Sequence, residues 1–185
     1  NGNYADIGVF SFHPGKHIAC GEGGMLTTNS KVLYEKLMLL RSHGITRENM
    51  EENHGGWYYE MIELGFNYRL TDFQSARGIT QLAKNEKGVA RRNEIALAYK
   101  KAFEDRVKFQ ELPVGVCNAH HLFIIEVENR KELYDFLHTK GILAQIHYVP
   151  VHILPYYKNI GYSDAGLVHA EKYYSRCIIL PMYPT

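Results

Sequence analysis

The sequence predicts an α/β protein in two parts, and three observations predict it. Near the start, two short apolar segments with β-branched and aromatic residues, 6–12 and 24–29, flank a loop containing a single lysine. Helical periodicity follows over 30–42 and again from Thr71 to about residue 105. Beyond Val107, strand-like and helix-like stretches alternate, as in a small α/β layer domain.

The elements follow in order. Residues 30–42 read as a helix because Val32, Leu33, Leu37, Met38 and Leu40 recur at helical spacing, and Gly44 suits its end. Residues 45–64 have no period. They carry Asn53-His54-Gly55-Gly56 and then several aromatics, so an irregular segment is expected there. Thr71-Asp72-Phe73-Gln74 is a capping box, with Thr71 at the N-cap and Gln74 three residues on. It predicts a helix to about Ala83 and then a second one from Gly88 to about Asp105. The second carries an apolar stripe of Ile95, Ala98, Tyr99, Ala102 and Phe103. Residues 107–109, 121–127 and 142–147 read as strands, 130–140 as a helix closed by Gly141, and 165–176 as another helix. These place the boundary within 84–106 and divide the chain into 1–84, a connecting helix over 85–106, and 107–185. No internal repeat or low-complexity tract is present.

Composition excludes several classes. The chain has 185 residues, 45% of them hydrophobic, and a formal net charge of +1. That is enough apolar matter for one or two modest cores and argues against disorder. Near-neutral charge gives no electrostatic case for nucleic acid or a membrane surface. No apolar run reaches the length of a spanning helix, and no signal peptide is visible, although the chain begins at Asn1. Cys20, Cys117 and Cys177 are far apart and form no Cys-x-x-Cys pair, so a reduced, cytoplasmic setting is expected. The ten histidines do not adopt metal-ligand spacing, and no metal site is expected.

The chemistry concentrates around Lys16. A lysine held at a strand end can form a Schiff base with an aldehyde cofactor if its amine is kept partly neutral. The bland alternative is a solvated loop lysine. Ser11, five residues earlier, offers a hydroxyl to a phosphate; alternatively it bonds locally to backbone. His13 and Pro14 shape the loop, since proline holds its predecessor in extended geometry. Gly21-Glu22-Gly23-Gly24 is not a dinucleotide loop, because a strand follows it instead of a helix. Glu22 is either structural or site-facing.

The run FSFHPGKHIACGEGGMLTTN, Leu40-Arg41-Ser42-His43-Gly44, Glu63-Leu64-Gly65-Phe66-Asn67-Tyr68-Arg69-Leu70-Thr71-Asp72, Gln145-Ile146-His147-Tyr148-Val149-Pro150-Val151-His152 and Leu180-Pro181-Met182-Tyr183-Pro184-Thr185 occur in this order. Together they resemble the sugar-nucleotide aminotransferases of the DegT/DnrJ/EryC1/StrS family, across nearly the whole chain. The resemblance implies a pyridoxal 5'-phosphate (PLP) enzyme of the aspartate-aminotransferase fold. Residues 1–84 would be the C-terminal part of the PLP-binding large domain and 107–185 a truncated small domain. The first half of the large domain and a C-terminal helix would be missing, together with the groups that pair with the pyridine nitrogen and stack on its ring. The isolated chain would then bind PLP poorly and turn over nothing.

The same resemblance makes Lys16 the Schiff-base lysine and proton carrier. It makes Ser11 a donor to the PLP phosphate, and Asn67 a donor to the phosphate of the neighbouring subunit's PLP across a homodimer. Asn67 has a local alternative as a backbone cap before Thr71. Arg69 would bind a substrate phosphate or the carboxylate of glutamate, the implied amino donor, with a structural ion pair as the alternative. His147 and Tyr148 would contact the sugar nucleotide. Gly56-Trp57-Tyr58-Tyr59-Glu60-Met61 resembles the pseudaminic-acid branch, which aminates C4 of a UDP-linked 4-keto-6-deoxy-N-acetylhexosamine. Trp57, Tyr58 and Tyr59 would either stack on uracil or pack at an interface or in a core. Two rival readings remain at this point. A dehydratase of the same family would carry histidine at the lysine position, which Lys16 opposes although His17 is adjacent. A non-catalytic module of the fold would capture no aldehyde at Lys16.

Overall fold

A computed structural model describes residues 4–48, 55–162 and 166–184. Asn53 and His54 of the irregular stretch and Ala165 at the expected helix start lie outside the described residues. The chain divides into two compact units, Asn1–Asn85 and Glu86–Thr185.

In the first unit, Gly8–Ser11 (β1) pairs antiparallel with Gly24–Thr27 (β2), in a register that sets Ser11 opposite Gly24. The lysine loop is therefore the tip of a hairpin. Lys31–Arg41 (α1) follows, and its start is set by Ser30, whose hydroxyl accepts the Leu33 N–H at 3.3 Å. Ile45–Thr46 (β3) and Glu60–Met61 (β4) form a second short antiparallel pair inside the stretch that has no sequence period.

The end of α1 is a backbone crossing. His43 donates to Phe66 O at 2.8 Å, Phe66 donates to Leu40 O at 2.7 Å, and Tyr68 donates to Arg41 O at 3.0 Å. Gly44 has φ of 68°, and a Cβ there would collide with the Glu63 carbonyl. A Cβ on Gly65 would in turn collide with the Gly44 nitrogen. Two glycines pass at backbone contact, which side chains would forbid.

Thr71 caps the next helix as expected. Its hydroxyl accepts the Gln74 N–H at 3.2 Å, and Gln74 Oε1 accepts the Thr71 N–H at 3.2 Å. The expected break near residues 84–88 is absent, which corrects the two-helix reading. Asp72–Phe103 (α2) is one helix of 32 residues. A glycine costs only about 1 kcal/mol in a helix interior, and the good helix formers around Gly88 outweigh it.

The second unit holds a three-stranded antiparallel sheet ordered Lys108–Phe109 (β5), Phe123–Glu126 (β6) and Cys177–Leu180 (β7). Arg130–Thr139 (α3), the short turn Pro155–Tyr157 (α4) and Val168–Arg176 (α5) complete it. The expected strand over 142–147 is not one. Gln145 alone of this segment forms a bridge to the sheet, exchanging hydrogen bonds with Ile179 at 3.1 and 2.8 Å. The third strand is instead β7, which pattern reading missed because four consecutive apolar residues show no period.

The core of this unit is Ala96, Phe123, Ile125, Ala144, Ile178 and Leu180. Tyr99 and Phe103 of α2 and Leu133, Tyr134 and Leu137 of α3 pack against it. Arg92 is buried beside it, and its guanidinium donates to the carbonyls of His120 at 3.0 Å and Met182 at 3.1 Å. A buried cation is tolerable because backbone oxygens replace its water.

Candidate active site

Lys16 sits in the tip between β1 and β2, half-buried. The tip is built by backbone bonds. Phe12 donates to Gly23 O at 2.8 Å, Cys20 donates to Phe12 O at 3.0 Å, and Lys16 N–H donates to His13 O at 2.9 Å. His13 Nδ1 accepts the Gly15 N–H at 3.1 Å, so His13 shapes the loop as its sequence context predicts. These bonds fix the backbone from which the lysine side chain projects.

Ser11 is the last residue of β1 and is exposed. Its Oγ accepts the His13 N–H at 3.4 Å, a long local bond. An acceptor role leaves the hydroxyl proton available to a second partner. The local reading of Ser11 and the phosphate-donor reading are therefore compatible.

Asn67 is pinned as an isolated bridge to Ser42 at the end of α1. The Lys36–Glu63 ion pair ties the approaching segment to the same helix. The cap of α2 is made by Thr71, so the capping alternative for Asn67 falls away. Asn67, Arg69, Leu70, Thr71 and Asp72 line one open depression, which brings Asn67 and Arg69 together. Arg69 makes no ion pair among the described residues.

His147 and Tyr148 belong to the second unit, just past the Gln145 bridge. Their rings meet edge-on with centroids 4.3 Å apart. Tyr148 is exposed, whereas His147 Nδ1 is shielded and has no hydrogen-bond partner. A polar ring atom in that condition suits a bound polar group. Of the aromatics near residue 57, Trp57 is 82% exposed and Tyr58 donates its hydroxyl to Glu60 Oε1 at 2.9 Å. Glu60 holds the Tyr58 proton, so the phenol pKa is raised.

Two side chains that sequence reading assigned no role at the site touch the lysine loop. Gln74 Nε2 donates to Glu22 O at 3.1 Å, and Arg77 Nε donates to Ala19 O at 3.0 Å. Spacing identified Gln74 as a cap residue, but a contact with a loop 52 positions away leaves no local signal.

A family model, the DegT/DnrJ/EryC1/StrS aminotransferase family, matches residues 1–185. The UDP-4-amino-4,6-dideoxy-N-acetyl-beta-L-altrosamine transaminase of Campylobacter jejuni serotype O:23/36 is 35% identical over 189 residues, covering 98% of this chain and 48% of that protein. Among solved structures, Helicobacter pylori PseC, an aminotransferase of pseudaminic acid biosynthesis, superposes with a TM-score of 0.87 at 34% identity, covering 98% of this chain and 49% of that one. The PLP form of Spr1654 from Streptococcus pneumoniae gives a TM-score of 0.88 at 26% identity, covering 99% of this chain and 48% of that one. The chain thus spans about half the length of the relatives it matches, and its fold is part of the aspartate-aminotransferase-like fold of PLP-dependent sugar aminotransferases.

Proposed function

Since the chain belongs to the DegT/DnrJ/EryC1/StrS aminotransferase family, we propose that it carries the cofactor-lysine part of a PLP-dependent sugar-nucleotide aminotransferase. The acceptor is a UDP-linked 4-keto-6-deoxy-N-acetylhexosamine and the donor is glutamate. The reaction belongs to nucleotide-amino-sugar biosynthesis in the cytoplasm. The observation that carries this reading is Lys16 on a hairpin tip whose backbone is closed by Phe12, Cys20 and His13, with Ser11 at the strand end beside it.

The donor set fits the cofactor. One amine suits an aldehyde, and a hydroxyl and a neutral amide suit a phosphate. When bound, PLP supplies an electron sink for the carbon that bears the migrating amino group. Lys16 would hold the cofactor through Nζ. The same Nζ, when free, would hold or move a proton at the substrate carbon. Ser11 gives its hydroxyl proton to the phosphate while its oxygen keeps the His13 N–H. Asn67 gives amide hydrogens to the phosphate of the partner subunit in a homodimer. Arg69 pairs with the glutamate carboxylate or a substrate phosphate. His147 offers its unpartnered Nδ1, and Tyr148 its exposed ring, to the sugar nucleotide. In this reading residues 1–84 belong to the PLP-binding large domain and 107–185 to the small one.

The test uses the protein at its full natural length. It is loaded with PLP and reduced with borohydride, and the pyridoxyl group is mapped by mass spectrometry beside Lys16→Ala. A group on Lys16 alone, lost in the variant, is the expected result; none, or one scattered over surface lysines, overturns the proposal. A panel of UDP- and dTDP-linked 4-keto sugars then tests the substrate. Activity confined to dTDP-hexoses without an N-acetyl group removes the UDP-N-acetylhexosamine assignment.

A further inference from the structure

We infer that Gln74 and Arg77 are positioning residues that hold the Lys16 loop from the first turns of α2, so that the reactivity of Lys16 is set partly by the helix. The inference rests on the cofactor-lysine reading of Lys16. Three contacts carry it, all within the first unit. Gln74 Nε2 donates to Glu22 O at 3.1 Å, on the returning limb of the loop. Arg77 Nε donates to Ala19 O at 3.0 Å, three residues beyond Lys16. Between them the helix approaches the loop closely, because a Cβ on Gly78 would lie 2.9 Å from the buried Cys20 Sγ. Only a residue without a side chain lets α2 come this near.

The two hydrogen bonds meet carbonyls that the loop's own backbone bonds leave to outside donors. The loop's own backbone bonds run through Phe12, His13, Cys20 and Gly23. Gln74 occupies two roles through two different atoms. Its Oε1 accepts from the Thr71 N–H and hydroxyl at 3.2 and 2.9 Å, which caps α2. Its Nε2 clamps the loop. The same side chain therefore links the start of α2, next to Asn67 and Arg69, to the loop that presents Lys16.

The two roles separate by one atom. Gln74→Glu keeps both cap acceptors, since glutamate is a natural capping-box residue, and removes the only donor. Arg77→Met removes the other donor and keeps the aliphatic stem. Three readouts are taken on the full-length protein: amide hydrogen exchange without PLP, competitive acylation of Lys16 against Lys31 and Lys36 across pH, and borohydride-trapped pyridoxyl on Lys16. A neutral hydrogen bond contributes a factor of about two to ten to a local equilibrium. Gln74→Glu is therefore expected to raise exchange of the loop amides, and to alter Lys16 acylation, by about that factor, and Arg77→Met, which removes a charged donor, by about tenfold or more. Exchange at the start of α2 stays unchanged in Gln74→Glu and rises in Gln74→Ala.

Unchanged loop exchange and acylation in both variants overturns the clamp. Equal loosening of loop and helix start in Gln74→Glu also overturns it, because the effect then belongs to the cap. The wild-type protein separates the two ideas. If it forms no pyridoxyl group on Lys16, the cofactor reading fails, while the exchange data still decide the clamp.

Discussion

The two units close different amounts of apolar surface within this chain, which spans about half the length of its relatives. In Glu86–Thr185, helices α2 and α3 cover a sheet and close a core of Phe123, Ile125, Ala144 and Ile178. In Asn1–Asn85 the buried apolar side chain among the described residues is Cys20, while Val9, Leu64 and Phe73 are 77%, 81% and 84% exposed. Order in that unit comes from backbone bonds, two close glycine crossings and a helix cap. The difference matters for function. The unit with the closed core holds His147 and Tyr148 beside its sheet, whereas the unit that presents Lys16, Ser11, Asn67 and Arg69 positions them through a network of individual hydrogen bonds. Such networks open locally more readily than packed cores, and they place side chains where a ligand can reach them.

The largest expected effect tests the contrast directly. Phe123 is buried and meets Tyr99 and Phe109 with ring centroids 4.9 and 5.7 Å away. Phe123→Ala removes the ring at the centre of the core and costs about 3–5 kcal/mol. Leu64→Ala, equally apolar but exposed in this chain, changes the stability of the 185-residue chain by no more than about 0.5 kcal/mol. Denaturant titration of each variant in the 185-residue chain measures both. Equal losses would break the comparison, because the first unit would then rest on apolar packing too.

The next effect probes what the first unit uses in place of a core. Gly44→Ala places a Cβ against the Glu63 carbonyl at a φ of 68°. Backbone must move, at a cost of about 2 kcal/mol or more. The segment carrying Asn67 is bonded to the same turn through His43, Phe66 and Ser42. Hydrogen exchange at Phe66 and Tyr68 is therefore expected to rise, with no change across β6 and β7. Protection of Phe66 equal to wild type would show that the crossing is not what holds Asn67.

Residues whose role is local announced themselves in the sequence. The Thr71 box, the Ser30 start and the His13–Pro14 bend all act within four positions, and they are where spacing placed them. The chain from Cys177 to Leu180 did not, because a strand buried along its whole length shows no alternation. The segment 142–147 misled for the opposite reason. Its composition suits a strand, but only Gln145 finds a sheet edge. The break expected in α2 came from weighing Gly88 above its neighbours. Lys16, Ser11, Asn67 and Arg69 enter the proposed site from residue types in a recognised pattern, whereas Gln74, Arg77, Gly44 and Gly65 act on partners distant in sequence or through backbone contact, which composition cannot reveal.

The smallest effect concerns pH and belongs to the cored unit. His120 is buried, and that burial pushes its imidazole pKa below the ordinary 6.5, with Lys100 and then Arg92 adding repulsion. Its folded-state pKa lies under the unfolded value, so between the two the unfolded chain binds more protons. Stability is therefore fully present above about pH 6.5 and falls as pH drops toward the folded pKa, below which the loss is complete. The backbone at His120 has φ of 46°, so asparagine, which tolerates that region, is the suitable replacement. His120→Asn cannot take up a proton. The denaturation midpoint of the second unit in this variant is expected to stay flatter than wild type between pH 7 and pH 5. An acid slope that survives the substitution would assign the pH sensitivity to another group and leave burial of His120 without consequence for stability.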